Sequence, residues 1–365
     1  MTEFALASAA GSSPAMLARS CAEQLRGATG HTLGFLYATS ALSKSYASIL
    51  DVLRQQTGVL NWAGTVGLGV CATGREFFDE PAVVAMTCQL DGAGYRFIQG
   101  KSAADLKEGS IASAETIGIV HGDPRNAAVT DVIAGIARRY GTYLVGGLTS
   151  GEGDFPQAAG TRVADGGVSG VLLSGRSVAV SVGLSQGCSP IGPMREITEC
   201  QGQIITTLDG RRALDVLRED AGGSESDDPR RWLANLHAAL PVPGSDRGAY
   251  LVRNLVGIDA RGGLIAIADK IDAGDRLMFV RRDRTSAERD LQRMLGDVKS
   301  RAAGPPKAGL YFSCLARGPN LFNDGHELKA IRETFGDIPV VGFFGNGEIA
   351  HDRVYGYTGV LTVFS

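Results

Sequence analysis

Cysteine is sparse and scattered in this chain. Six thiols, at positions 21, 71, 88, 188, 200 and 314, never fall into a CxxC or another short metal-ligand spacing. In 365 residues they read as buried or isolated thiols of a reducing compartment, not as a disulfide framework. Histidine is scarcer: the five residues, at 31, 121, 237, 326 and 351, share no ligand spacing, so no metal is expected. Positive charge is not in excess either. A net charge of −3 and a pI near 6.0 speak against a general nucleic-acid binder, whose phosphate contacts need clustered Lys and Arg. No apolar run reaches the roughly 18 residues that span a bilayer; the best candidate, 167–184, is interrupted by Arg176. The opening Met1-Thr2-Glu3 lacks the basic and apolar regions of a signal peptide. A soluble cytoplasmic protein without membrane insertion is expected. GxGxxG, GxSxG, HExxH and EF-hand patterns are absent, and no cofactor is expected.

What is present is ordinary globular composition, 44% hydrophobic and 21% charged, which excludes wholesale disorder, a collagen-like fibre and a coiled coil. Glycine is the outlier, with 50 residues, so many turns or close backbone approaches are expected.

Three segments share one plan. Each opens with an apolar strand carrying glycine at its second position: Leu33-Gly34-Phe35-Leu36-Tyr37, Ile117-Gly118-Ile119-Val120-His121 and Ala308-Gly309-Leu310-Tyr311-Phe312. Helical stretches follow at 43–56, 126–140 and 325–335, with Ile49, Leu50 and Leu53, or Val129, Val132, Ile133 and Ile136, forming buried stripes. A Gly-x4-Gly run ending near an acid comes next: Gly69 to Gly74 with Arg75-Glu76, Gly146 to Gly151 with Glu152, and Gly342 to Gly347 with Glu348. Each runs into a further strand, at 82–90, 167–173 and 357–364. An N-terminal helix is expected at 13–27, with Ser13 as its cap and Pro14 in its first turn. Between the second and third segments, strands are expected at 177–184, 203–208, 250–258, 263–268 and 275–280, and helices at 210–218 and 285–296. The charged stretch 219–230 reads as a mobile loop.

The glycine runs have the spacing of a P-loop, but Arg75, Glu152 and Glu348 stand where that motif needs Lys, and no Ser or Thr follows to hold magnesium. Nucleotide binding is therefore not expected there. Exposed backbone N–H groups in such loops suit an anion such as a carboxylate. Glu152 and Glu348 are placed to accept from an ammonium group, and Arg317 to make a bidentate carboxylate contact. Together they suit a small zwitterion. Each acid alone reads equally well as a solvated charge at a tight turn. Cys71 and Cys314 lie in or beside the loops; a thiol nucleophile needs a base, and none follows from the spacing. The turn-rich run Gln186 to Pro193 reads as a pocket mouth or a rigid connector.

Long ordered runs carry a family pattern: Val66-Gly67-Leu68-Gly69 through Arg75-Glu76, Leu144 to Gly151, Ser185 to Pro193, Leu208 to Leu217, Phe312 to Gly318, Leu321-Phe322, Ile331-Arg332, and Phe335 to Phe344 with Gly347-Glu348. From about residue 30 to 365 the chain resembles FIST-domain proteins, intracellular sensory modules of signal transduction, in both their N-terminal and C-terminal regions. The resemblance implies sensing of small molecules such as amino acids, by modules attached in relatives to chemoreceptors, kinases or cyclases, or in eukaryotes to F-box segments. This chain shows no receptor helix, kinase signature or long heptad run, so signalling would pass through a partner protein.

The resulting expectation is a mixed α/β fold with two sheet-containing halves, built from repeated strand–helix–glycine-loop–strand units with helices covering the sheets. An N-terminal domain is expected over 1–220, a mobile linker over 221–245 and a C-terminal domain over 246–365. The expected function is small-ligand sensing without catalysis, through Cys71, Gly74, Arg75, Thr149, Ser150, Gly151, Glu152, Cys314, Arg317, Asn346, Gly347 and Glu348. The expected partners are a small-molecule ligand and a downstream signalling protein. The alternatives are a protein-interaction scaffold and a Cys- or Glu-assisted hydrolase of amino-acid derivatives.

Overall fold

The computed structural model describes residues 3–106, 116–223, 236–242, 250–323 and 325–365. They form two compact units. One is made of residues 1–186 and 290–365; the other is residues 187–289, inserted between them in sequence. A boundary at 221–245 would cut through the inserted unit, and most of that expected linker, like most of the expected loop 219–230, lies outside the described residues. The fold is mixed α/β with several sheets.

The larger unit holds three six-stranded sheets with one strand order. The first runs Phe4–Ala10, Ala82–Cys88, Leu33–Thr39, Asn61–Gly67, Gln157–Gly160, Arg162–Ala164. The second runs Tyr95–Gly100, Val168–Ser174, Thr116–Gly122, Tyr143–Leu148, Glu348–His351, Arg353–Tyr355. The third runs Val180–Gln186, Thr358–Phe364, Ala308–Cys314, Val340–Gly345, Gly69–Ala72, Arg75–Phe77. In each sheet the two middle strands are parallel, and all other pairs are antiparallel. A parallel pair needs a crossover, and helices Tyr46–Thr57, Val129–Tyr140 and His326–Phe335 supply it. Gly58 and Gly141, both left-handed, end the first two of these helices and close on the carbonyls of Arg54 and Ala137. The first strand of each crossover is buried along nearly its whole length, which is why its sequence is a continuous apolar run.

The hairpin after each parallel pair does not stay in its own sheet. The hairpin 69–77 pairs with Val340–Gly345, the hairpin 348–355 pairs with Tyr143–Leu148, and the hairpin 157–164 pairs with Asn61–Gly67. Each sheet is thus completed by another segment, in a cycle. Where the segments cross, Gly64, Gly146 and Gly342 lie against a neighbouring strand so closely that an added Cβ would sit 1.8, 1.8 and 1.6 Å from the carbonyl oxygens of Leu36, Val120 and Tyr311. Only glycine permits that approach.

On the inner faces, Tyr37, His121 and Phe312 each stand three residues after their strand's second-position glycine, and they meet. The Tyr37 hydroxyl is 3.2 Å from His121 Nε2, and Phe343 packs against all three rings at 5.3–6.0 Å. Burial pushes the His121 imidazole down to about 3, so it is neutral in this core.

The smaller unit is a barrel. Strands Arg195–Gln201, Ile204–Leu208, Leu264–Ile267, Tyr250–Asp259, Leu236–Pro241 and Arg276–Arg282 pair antiparallel in that order, and the last closes on the first. Its core joins Ile197, Ile205, Ile265 and Phe279 to the apolar face of helix Ala213–Ala221, including Leu214 and Leu217. Closure leaves no long free edge among these strands.

The N-terminal helix spans Pro14–Gln24, with Ser13 extended at its cap position but without a side-chain cap bond. Strand Phe4–Ala10, which precedes it, went unread in the sequence. Its alternation is weak, and its pairing partner, Ala82–Cys88, is remote.

Candidate functional site

At one end of the third sheet the strand Ala308–Cys314 passes into a tight turn, closed by the Arg317 amide donating to the Cys314 carbonyl at 2.8 Å. Gly318 follows with φ +50°, and a Cβ there would strike the Phe344 ring at 2.8 Å, so the turn admits only glycine. This geometry drives the Arg317 side chain inward, where it has no exposed surface. It meets Glu327, from the first turn of helix His326–Phe335 and equally buried.

Glu327 is saturated with donors. Oε1 accepts from Arg317 Nε at 2.8 Å and from the Tyr311 hydroxyl at 2.6 Å; Oε2 accepts from the Ser313 hydroxyl at 3.0 Å and the Gly318 amide at 3.2 Å. Arg317 Nη2 reaches Glu327 Oε1 at 2.8 Å and the Ser185 hydroxyl at 3.3 Å, while its guanidinium lies 5.2 Å from the Phe322 ring centre. Burial opposes the Arg317 charge, but Glu327 more than offsets it and holds the guanidinium protonated.

Beside this pair lies a second buried acid. Glu348 Oε2 accepts from the Thr358 amide at 3.2 Å and the Thr358 hydroxyl at 2.7 Å. Burial pushes its carboxyl up to about 8, against the pull of Thr358 and of Arg317. At neutral pH it is mainly a neutral acid. Cys314, 9% exposed, is pushed up to about 12 by burial and by the neighbouring Glu348. Within the Arg317–Glu327–Glu348 cluster two buried side-chain atoms have no partner among the described residues, Arg317 Nη1 and Glu348 Oε1. A cationic fork and a carboxyl group, both fully buried and each with one free valence, suit opposite ends of a small polar molecule.

The twelve residues singled out from the sequence divide. Cys314, Arg317, Gly347 and Glu348 belong to this cluster or flank it. Thr149, Ser150 and Asn346 lie in loops joined to it: the Ser150 hydroxyl donates to Phe344 O at 2.5 Å and accepts from the Leu68 amide at 2.8 Å, and the Asn346 amide donates to Leu148 O at 3.1 Å. All three glycine-rich loops therefore meet, with Ser150 as the tie. Gly151 packs on Ser40, where a Cβ would come within 2.2 Å. Glu152 is exposed in the loop before Gln157–Gly160, away from any ladder position. Cys71 is fully buried under the third sheet's helix, its thiol near Tyr311 O at 3.9 Å and held protonated by burial. Gly74 and Arg75 form an exposed hairpin tip, with Arg75 pairing to Glu80 at 3.5 Å. Tyr311, Ser313, Glu327, Thr358 and Ser185 were not legible as site residues. Glu327 alone left a trace, as an acid four residues before Ile331 on the helix's buried stripe.

The comparisons with known proteins agree with the runs of residues quoted above. The model of the FIST N domain matches residues 32–211, and that of the FIST C domain matches 213–351. The chain belongs to the FIST family. FIST domains are sensory domains associated with signalling, which fits a sensory role. An uncharacterized protein of Mycobacterium tuberculosis is 31% identical, over 94% of this chain and 93% of its own. An uncharacterized protein of Mycobacterium bovis is also 31% identical, over 91% and 90%. F-box only protein 22 of Pongo abelii is 34% identical over 110 residues, 28% of this chain and 26% of its own. In this FIST protein the boundary between the two family models, at 211–213, falls inside the sequence of the barrel. No helix among the described residues is long and apolar enough to cross a membrane.

Proposed function

We propose that this FIST protein is a cytoplasmic sensor that binds an amino acid or similar small zwitterion or carboxylate at the Arg317–Glu348 cluster and signals to a partner protein without turning its ligand over. The observation that carries this reading is the pair of buried, unpartnered atoms, Arg317 Nη1 and Glu348 Oε1. A ligand carboxylate answers the first, and an ammonium, whose charge favours loss of the Glu348 proton, answers the second. Arg317, Glu348 and Thr358 have no exposed surface. Entry therefore requires the 315–318 turn or the segment before Thr358 to move, and Tyr357 already sits at φ +62°, an unfavourable conformation for a side-chain-bearing residue. A site that opens to bind couples occupancy to shape, which is what a sensor needs. The strand–helix–glycine-loop–strand segment is proposed as the repeated building block, supported by the common strand order of the three sheets.

The test is calorimetric titration with the standard amino acids and with their carboxylate-only analogues, on the parent and on Glu348→Gln. The expected result is one amino-acid class bound by the parent and weakened at least tenfold by the substitution, with carboxylate-only analogues unaffected by it. Equal binding to parent and variant, or no binding of either series, overturns the reading.

A further inference from the structure

A cleft of about 630 Å³ opens elsewhere in the larger unit, between the hairpin 157–164 that ends the first sheet and the edge strand Tyr95–Gly100 of the second. Its volume is that of an ordinary small-molecule site. The backbones that form it approach closely. A Cβ on Gly160 would lie 3.1 Å from the Phe97 ring, and one on Gly167 would lie 2.4 Å from the Gly100 carbonyl. The floor is therefore shaped by Phe97 on strands that cannot accept bulk.

The walls are basic. Arg96, Lys101 and Arg162 line the cleft against a single carboxylate, Asp165, in a chain whose net charge is −3. Arg96 is held on one side with its guanidinium 5.7 Å from the Tyr140 ring centre. Lys101 and Arg162 are exposed and form no ion pair among the described residues. Asp165 is itself within the field of Arg125. Three cations around one concavity lined by one carboxylate, with Asp105 accepting from the Lys101 amide at 2.8 Å beside it, concentrate positive potential where a ligand would sit.

We infer that this cleft binds a small organic or inorganic polyanion through Arg96, Lys101 and Arg162. Phosphate and carboxylate groups share the recognising chemistry, a bidentate or charge-assisted contact to the two arginines with Lys101 as a point charge. The site is independent of the Arg317–Glu348 cluster. Calorimetric titration with pyrophosphate and, separately, with citrate tests it on the parent, on Lys101→Ala/Arg162→Ala and on Arg75→Ala, whose cation lies at the exposed hairpin tip. The expected result is binding of at least one probe by the parent, weakened tenfold or more in the double variant and unchanged in Arg75→Ala, with equal melting temperatures. Pyrophosphate alone assigns the site to phosphates, citrate alone to carboxylates. No binding at millimolar probe, unchanged affinity in the double variant, or an equal loss in Arg75→Ala overturns the inference.

Discussion

Glu348 and Gln157 occupy the same place in two seams of the fold. Each opens a hairpin that joins a foreign sheet. Glu348 is in register with Gly147, one residue after Gly146, and Gln157 with Thr65, one residue after Gly64. Each turns its side chain to the strand that follows its own hairpin, Glu348 to Thr358 at 2.7 Å and Gln157 to the Gly167 carbonyl at 3.0 Å. The Gln157 seam holds a neutral amide that donates. The Glu348 seam holds an ionisable acid, a buried guanidinium and a thiol, with a valence left over on two of them. The same ladder position thus serves as a joint in one seam and as a candidate site in the other. Architecture provides the position, and a few side chains decide whether it does chemistry.

Four substitutions break or sharpen that contrast. The largest effect belongs to Glu327→Ala, which leaves Arg317 buried and uncompensated; chemical denaturation should show a loss of about 3–5 kcal/mol. Gln157→Glu makes the joint resemble the site but supplies no buried arginine. It should cost roughly 2–3 kcal/mol at neutral pH, and a cost near zero would mean that Arg317 is not what allows an acid in a seam.

Glu348→Gln makes the site resemble the joint. The folded carboxyl titrates near 8, above its ordinary 4.5, so the unfolded chain releases this proton first. The stabilising contribution of the protonated form is complete below the ordinary value and is lost as pH rises through the folded one. The variant should match the parent near pH 4 and exceed it in stability near pH 9. A parent whose melting temperature does not fall on the alkaline side relative to the variant contradicts this. Arg75→Ala, at an exposed tip far from either seam's chemistry, should change stability by less than about 0.5 kcal/mol.

Much of the larger unit was legible residue by residue. Helices expected at 43–56, 126–140 and 325–335 appear as Tyr46–Thr57, Val129–Tyr140 and His326–Phe335, because apolar periodicity and glycine stops are local signals. The pairing of Glu152 with Glu348 was misleading. Both follow a Gly-x4-Gly run, yet the ladder position that matches Glu348 is Gln157, because residues 152–156 form a longer loop before the hairpin begins. Spacing along the chain does not survive a loop of different length, whereas hydrogen-bond register does. Glu327 was missed for a related reason. Its role depends on a turn ten residues earlier pushing Arg317 inward, and no local pattern announces that encounter.

By itself, the sequence determined the strand that opens each of the three segments and the crossover helix that follows it, since these follow from side-chain periodicity and backbone freedom over short stretches. It also carried the runs that mark a FIST protein. The tertiary structure alone decided that the hairpins trade sheets, that the inserted segment closes into a barrel, and that Arg317, Glu327 and Glu348 are buried together. Those outcomes rest on pairings between residues far apart in the chain, whose energies arise only when water is removed from around both partners at once.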